Sequence, residues 1–595
     1  MFTTRPELLG THGMVTSTHW LASAVGMSVL ERGGNAADAA VAAGFVLQVV
    51  EPHLNGPGGD APIISASPDG TVDVYCGQGP TPAAATLERY RELGLDLVPG
   101  TGLLAAVVPG AFGAWTLLLE REGTWRLRDV LEPAISYAEH GYPLLPTTVA
   151  TISTVEQMFR DQWPSSAQTW LSSGGVPAAG SLWRNPVLAA TYRRILDEAE
   201  AAATGRAEQV AAARDVFYRG FVAEQIAGFC ATSEVMDTSG TPHRGLLDAD
   251  DLARWEPTVE RPASVDYAGV TVHKTGPWGQ GPVLLQQLRL LEGFDLEAMG
   301  HLSVDWVHTV TECAKLAFAD REAWYADPDA TDVPLETLLS SEYAAQRRAL
   351  VGATASYDLL PGSPDGRTPV LPSSAAPGGA RPAVTADGAG EPTVLGDGTT
   401  RGDTCHVDVV DQSGRMVSAT PSGGWLQSSP TIPGLGFCLG TRAQMLWLEP
   451  GLPTTMRGGT RPRTTLSPSM VTLDGVPWLA FGTPGGDQQD QWSLSYLLAV
   501  LHTRLDLQGA IDAPTFSTEH FPSSFYPRQA SPGTLVVEGR LPADVMAGLR
   551  ERGHTVRVGG DWSQGRLSAA GRDAATGLLR AAANPRGMQG YAVGR

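Results

Sequence analysis

The chain has 595 residues, beyond the roughly 250 to 300 at which a single hydrophobic core stops growing, so several layers or domains are expected and a small binding module is excluded. Its 69 Gly and 44 Pro make 19% of the residues, against a norm of about 12%, with no collagen period to explain them. Lys and Arg number 42 against 63 Asp and Glu, a formal charge of −21, which repels phosphate backbones and anionic membrane surfaces, so neither nucleic acid nor membrane is an expected partner.

Lysine occurs only at Lys274 and Lys315, and the bias to arginine fits a GC-rich bacterial genome. The start, Met1-Phe-Thr-Thr-Arg-Pro6, lacks a basic segment followed by an apolar one, so no secretory signal is expected. Leu103 to Leu119 is the most apolar stretch, but Pro109, Gly110 and Gly113 interrupt it short of a membrane span. A cytoplasmic location is therefore expected. Cys76, Cys230, Cys313, Cys405 and Cys438 are odd in number and scattered, which predicts reduced thiols rather than a disulfide framework.

In chain order, Gly13 to Ser17 predicts a strand, Leu21 to Glu31 a helix stopped at Gly33-Gly34, and Asn35 to Val50 a second helix whose alanine-rich sequence must be buried on most sides. Asn55 to Gly59 is a glycine-rich loop, followed by a hairpin of Ile63 to Ser67 and Thr71 to Tyr75. The segment from about Trp125 to Tyr343 reads as mainly helical, with its clearest helix from Val304 to about Ala326. Between Pro361 and Asp403 lie nine glycines and seven prolines in 43 residues, which predicts a flexible linker. Thr404 to Val410 and Met416 to Thr420 then form a hairpin, as do Ser469 to Leu473 and Val476 to Gly482, with helices near Gln491 to Thr503 and Pro542 to Arg552. Hairpins plus helices at both ends suit an α+β fold of sheets between helical layers.

No Gly-Lys-Ser/Thr phosphate loop, HExxH, GxSxG or CxxC is present, so no metal or cofactor is expected. Isolated histidines such as His308 and His406 read as hydrogen-bonded core residues. What remains is Gly402-Asp403-Thr404-Cys405-His406. Cleavage between Asp403 and Thr404 would give Thr404 a free α-amine, of pKa about 7.7 to 8.0, able to act as base for its own hydroxyl. Gly485 and Gly486 follow a strand end, where bare N–H groups can meet an oxyanion. An ordinary boundary between linker and strand is the alternative.

These residues resemble the γ-glutamyltransferase family of N-terminal-nucleophile hydrolases, and the resemblance spans nearly the whole chain. It rests on Gly33-Gly-Asn-Ala-Ala-Asp-Ala-Ala40, Val50-Glu-Pro-His53 with Gly58-Gly59, Phe217-Tyr-Arg-Gly220, Lys315-Leu-Ala-Phe-Ala-Asp-Arg321, Ser467-Pro468 and Gly482-Thr-Pro-Gly-Gly486. It implies a four-layer αββα sandwich made as a zymogen that cleaves itself before Thr404. The products would be residues 1–403, ending in the flexible linker 361–403, and residues 404–595, held together as a heterodimer with further dimerisation left open. It also implies acyl transfer through a Thr404 ester, with Ser422 as second hydroxyl and Gly485 and Gly486 as oxyanion donors.

Departures from the family pattern are concentrated in the acyl pocket. The arginine that holds a glutamyl carboxylate falls at Leu87; Arg89 or Arg91 could substitute, or could be exposed helix arginines. Gly424 replaces an expected asparagine, and Trp447 stands where a carboxylate should meet the glutamyl ammonium. Thr464 and Thr465 replace a double serine. A buried α-amine and α-carboxylate each need a charged partner, so a non-glutamyl small-molecule substrate is expected. Relatives include amidohydrolases of oxalyl amides, β-lactam side-chain acylases, and enzymes of actinobacterial antibiotic biosynthesis that hydrolyse a C–C bond to release an oxalyl group. For an oxalyl carboxylate, Arg442, Arg461 and Arg463 are candidate partners, or structural arginines. A classical γ-glutamyl transferase or glutathione hydrolase, and an unprocessed scaffold, are the remaining alternatives.

Overall fold

The computed structural model describes residues 3–171, 174–375, 393–394, 400–401 and 404–595. Two antiparallel seven-stranded sheets face each other. The first runs, edge to edge, Tyr591–Gly594, Gly13–Ser17, Val407–Asp411, Met416–Ala419, Ile63–Ala66, Val72–Cys76 and Thr258–Glu260. The second runs Leu8–Gly10, Leu579–Ala583, Ser568–Arg572, Val476–Gly482, Ser469–Leu473, Val270–Lys274 and Ala263–Tyr267. Each sheet mixes strands from both sides of residue 404, so residues before and after it make one fold.

Period-two alternation sorts the side chains into layers. In the strand after Thr404, Cys405, Val407 and Val409 join the core beneath the first helical layer, while Val410 joins Met14, Ile64, Met470 and Ala480 between the sheets. The same alternation puts Thr404, His406 and Asp408 on the inter-sheet face. There His406 meets Thr420 and Asp408, both at 2.9 Å. Gly482 lies so close to His406 that a Cβ would come within 2.4 Å of the ring, so the opposite strand needs glycine at that point. The outer layer on the second sheet is built around Pro282–Leu291, Val304–Trp324 and Gln489–His502.

The helix Ala36–Val50 is buried along its whole length. It starts in a capping box, in which the Asn35 side chain accepts from the Asp38 amide and Asp38 accepts from the Asn35 amide, both at 3.0 Å. Such a cap contributes about 1 kcal/mol. Its small residues admit the neighbouring helix closely enough that a Cβ on Gly44 would lie 2.4 Å from the Trp115 ring.

The middle of the chain is mainly helical, as expected, and is interrupted where Ala263–Tyr267 and Val270–Lys274 form an edge hairpin of the second sheet. The start of the expected linker is also tied down: the Gly362 amide donates to Asp320 at 2.7 Å, Trp324 donates to the Gly362 carbonyl at 3.1 Å, and the Ser373 amide donates to Glu449 at 2.8 Å. Most of 376–403, Asp403 included, lies outside the described residues.

Burial pushes His19 and His554 down to about 3 and His520 to about 4, with neighbouring cations adding to the effect at His554 and His520. The unfolded chain therefore binds protons that the fold excludes. The stability these neutral rings carry is complete above the unfolded pKa of about 6.5 and is lost as pH falls through the folded values. The thermal midpoint should drop between about pH 7 and 5; a flat profile would contradict this.

Candidate active site

The site forms where three loops close over one end of the first sheet. Thr404 makes an antiparallel bridge with Ser422, and Ser422 makes another with Asp60. Their exchanged backbone bonds, Ser422 N to Asp60 O at 2.9 Å and Asp60 N to Ser422 O at 2.8 Å, fix the glycine-rich loop beside Thr404. The Thr404 hydroxyl donates to Ser422 Oγ at 3.3 Å, and Trp425 Nε1 donates to the same oxygen at 3.2 Å. Both hydroxyl residues are buried.

Across the sheets, Gly485 and Gly486 have φ of +127° and +55°, backbone that favours glycine. The turn is pinned from several sides. Gln280 Nε2 donates to the Gly486 carbonyl at 3.2 Å, and the Ser524 amide donates to Asp487 at 2.8 Å, which also pairs with Arg321. A Cβ on Gly485 would lie 2.2 Å from Trp492.

Beside the Ser422 bridge lies a buried ion pair, Asp60 with Arg442. Arg442 Nε donates to both carboxylate oxygens at 3.1 and 3.0 Å, Thr464 donates to one of them at 3.3 Å, and the guanidinium lies 5.4 Å from the Trp425 ring centre. Burial pushes the Asp60 carboxyl up, against the pull of Arg442 and Thr464. Both Nη nitrogens of Arg442 are buried with no partner among the described residues, as is the hydroxyl of Thr465. Gly424, with φ +66°, abuts Cys438 O and Gly59 N at 2.9 Å from a would-be Cβ, so this position carries no side chain toward the pocket.

The other candidates have different partners. Arg461 is consumed by Asp327, Asp329 and Glu260, with contacts of 2.7 to 2.8 Å. Arg463 is buried on Glu322 at 2.9 Å and the Arg321 carbonyl at 3.1 Å. Both are ties between the two sides of residue 404. Trp447 stacks under Arg528 at 4.4 Å. Leu87 opens the helix Leu87–Glu92 and packs with Tyr90, Leu104 and Leu446, while Arg89 is exposed and pairs with Glu92, and Arg91 is exposed as well.

Asp60 and Trp425 were not anticipated; an acid directly after Gly58-Gly59 was the available signal. Behind Thr404 the buried Glu51 accepts from Thr18 at 2.6 Å, Cys405 at 3.0 Å and Gln589. Burial raises its carboxyl, opposed first by Arg566, whose Nη2 approaches the Thr404 carbonyl at 3.5 Å. Among the described residues one group has metal-ligand spacing, His308, Glu312 and His554, but the Lys315 ammonium sits 2.6 Å from Glu312 and supplies the positive charge there. A buried hydroxyl pair, a glycine turn and an arginine with two unpartnered Nη nitrogens are the kinds of group that acyl transfer from an anionic acyl group uses.

The gamma-glutamyltranspeptidase family model matches residues 22–594. Two solved structures of LmbA2991 are 56% and 55% identical to this chain, each with a TM-score of 0.94 over 100% of both chains. Cephalosporin acylase from Bacillus halodurans is 29% identical, with a TM-score of 0.82 over 100% of this chain and 97% of its own. The oxamate amidohydrolase proenzyme of Klebsiella pneumoniae is 31% identical over 596 residues, 98% of this chain and 99% of that protein. No helix among the described residues is long and apolar enough to cross a membrane. The family match runs from the first helix to the last strand and takes in strands of both sheets and both helical layers, so the chain is an enzyme of the gamma-glutamyltranspeptidase family, with its N-terminal-nucleophile hydrolase fold.

Proposed function

We propose that the chain cleaves itself between Asp403 and Thr404 and then hydrolyses a short anionic acyl group, of oxalyl rather than glutamyl type, from its substrate. The observation that carries this reading is the pair of unpartnered Arg442 Nη nitrogens, one side chain away from the Thr404–Ser422 hydroxyl pair. A carboxylate placed there gains two charge-assisted hydrogen bonds. The nearby acid Asp60 is already engaged by Arg442 and Thr464, so it is not available to an ammonium. The names of two relatives, an oxamate amidohydrolase and a cephalosporin acylase, agree with an acyl group other than glutamyl.

In this reading the α-amine of Thr404 takes the hydroxyl proton as Oγ attacks the carbonyl, and the amides of Gly485 and Gly486 hold the oxyanion. Collapse breaks the bond to the leaving group, which receives the proton, and leaves a Thr404 ester. Water then attacks, releasing the acid and restoring the hydroxyl. The leaving atom is an amide nitrogen, or a carbon where conjugation stabilises it. The fragments 1–403 and 404–595 stay together as a heterodimer because their strands share both sheets.

Intact-mass spectrometry of the 404–595 fragment, quenched during turnover of oxamate, an N-oxalyl anilide and a γ-glutamyl anilide, tests the reading. An oxalyl adduct on Thr404 from the first two substrates is expected; saturable glutathione hydrolysis with a glutamyl adduct sinks it. Gly485→Ala keeps its N–H but drives a Cβ into Trp492 and shifts the turn, so kcat should fall by about 10²-fold, the scale of one oxyanion donor, with autocleavage and melting followed in parallel. An unchanged kcat would remove Gly485 from the site.

A further inference from the structure

The direction of the amides in the Gly485–Gly486 turn depends on what holds its carbonyls. Glycine populates both signs of φ, and the N–H and C=O of one peptide lie in one plane, so anchoring a carbonyl fixes the amide that shares its peptide. The Gly485 carbonyl, in one peptide with the Gly486 N–H, accepts from the Gln488 amide at 3.1 Å. The Gly486 carbonyl accepts from the Gln489 amide and from Gln280 Nε2, the latter at 3.2 Å. The two backbone ties are local to the turn. Gln280 lies 206 positions upstream, on the other side of residue 404.

Gln280 is buried, and its amide is oriented from behind. A guanidinium only donates, so the atom that meets Arg321 Nη1 at 2.8 Å is Oε1, and Nε2 is left to face Gly486. The same Arg321 pairs with Asp487, the next residue of the turn. The backbone of Gln280 is tied in another direction: its amide donates to the Thr464 carbonyl at 2.9 Å, and the Thr464 amide donates to the Trp278 carbonyl at 2.9 Å. Thr464 in turn donates its hydroxyl to Asp60. One residue thus links the Gly486 carbonyl to the loop that meets the Asp60–Arg442 pair.

The charges around this amide balance. Arg321, Arg463 and Lys274 are paired with Asp487, Glu322 and Asp490, and Asp490 lies beside the Gln280 side chain itself. A neutral group that accepts at one end and donates at the other fits such a network. A carboxylate in its place is a further buried anion with no cation of its own, and it turns an acceptor toward the Gly486 carbonyl. The protonated acid differs, because its O–H donates where Nε2 did and its carbonyl still accepts from Arg321.

We propose that Gln280 is a positioning residue, which holds the Gly485–Gly486 turn in register with the Thr464 loop from the other side of residue 404. The consequence for turnover rests on the hydrolase reading; the hold on the turn does not. In the full protein, Gln280→Leu should lower kcat for an oxalyl amide by about 30-fold, short of the roughly 10²-fold of a whole oxyanion donor, with KM within about threefold. Gln280→Glu should come within about threefold of wild type at about pH 5.5 and lose ground toward about pH 8.5, as its carboxyl ionises. Rates are taken per cleaved chain and as ratios to wild type at each pH. Hydrogen exchange followed by mass spectrometry reads the turn directly: the peptide from Gly482 to Asp490 should exchange about tenfold faster in Gln280→Leu, while that of Gly13 to Ser17 stays unchanged. Unchanged exchange at the turn overturns the hold, whatever the substrate proves to be. A kcat within threefold of wild type in Gln280→Leu, or Gln280→Glu no faster than Gln280→Leu at the lower pH, overturns the consequence for turnover. Wild type that turns over neither oxalyl nor glutamyl amides counts against the hydrolase reading instead, and the exchange comparison still decides the hold.

Discussion

Replacing Thr404 by alanine is expected to leave a single band at 62.6 kDa on a denaturing gel and to cost at least about 10⁴-fold in kcat, the scale seen when a covalent nucleophile is removed. Two losses are combined, because the proposed reading uses the same hydroxyl to cut the Asp403–Thr404 bond and to take the acyl group. They separate with Thr404→Ser, which keeps a hydroxyl and should cleave slowly and retain measurable turnover. Misfolding is a poor alternative explanation. The substitution removes a hydroxyl and a methyl from a buried position, while the backbone bridges of Thr404 to Ser422 and of Ser422 to Asp60 remain, so the thermal midpoint should shift by only a few degrees. Wild-type protein that stays in one piece while hydrolysing substrate would refute the self-cleavage, and a Thr404→Ala variant that still cleaves would refute the assignment of the nucleophile.

The strands flanking Thr404 were legible because apolar alternation and turn residues agree. Gly13–Ser17, Ser469–Leu473 and Val476–Gly482 fall where the pattern puts them. The strands that escaped the sequence pattern lack that agreement. Ser568–Arg572 and Leu579–Ala583 are alanine- and glycine-rich, composition that disfavours strands, and they form only because both are sandwiched inside the second sheet. Ala263–Tyr267 carries Ser264 and Asp266 on an exposed edge, so its alternation is that of a half-solvated strand amid helical sequence. At the site, Thr404, Gly485 and Gly486 stand out as a strand-opening threonine and a glycine pair after a strand, and Ser422 only through the family resemblance; the structure joins Thr404 to Ser422 by a bridge and a hydrogen bond. The arginines could not be sorted in this way. Arg442, Arg461 and Arg463 lie within 22 residues of one another and differ only in what meets them. Asp327 and Glu322, which occupy the last two, stand over 130 positions upstream, and Asp60, which leaves Arg442 half open, stands 382 positions away.

That difference makes Arg442 the most discriminating position to change. Arg442→Lys should lower kcat/KM for an oxalyl amide by about 10²-fold, roughly the 3 kcal/mol of two charge-assisted bonds that an ammonium already committed to Asp60 cannot supply. Autocleavage should persist, since the Asp403–Thr404 bond needs no carboxylate anchor. Arg442→Met is a different experiment: it leaves Asp60 buried and uncompensated, at a cost of about 3 to 5 kcal/mol in stability, and lost activity would then report folding as well as recognition. Pairing Arg442→Gln with Asp60→Asn removes both charges together, so the melting temperature should recover while turnover of the acid does not. The neutral methyl ester of the same oxalyl substrate settles the assignment. Wild type should lose on the ester what the lysine variant loses on the acid, and Arg442→Lys should change ester turnover by less than about threefold, well under 1 kcal/mol. If acid and ester fall together in the lysine variant, Arg442 only braces Asp60 and the acyl carboxylate is held elsewhere.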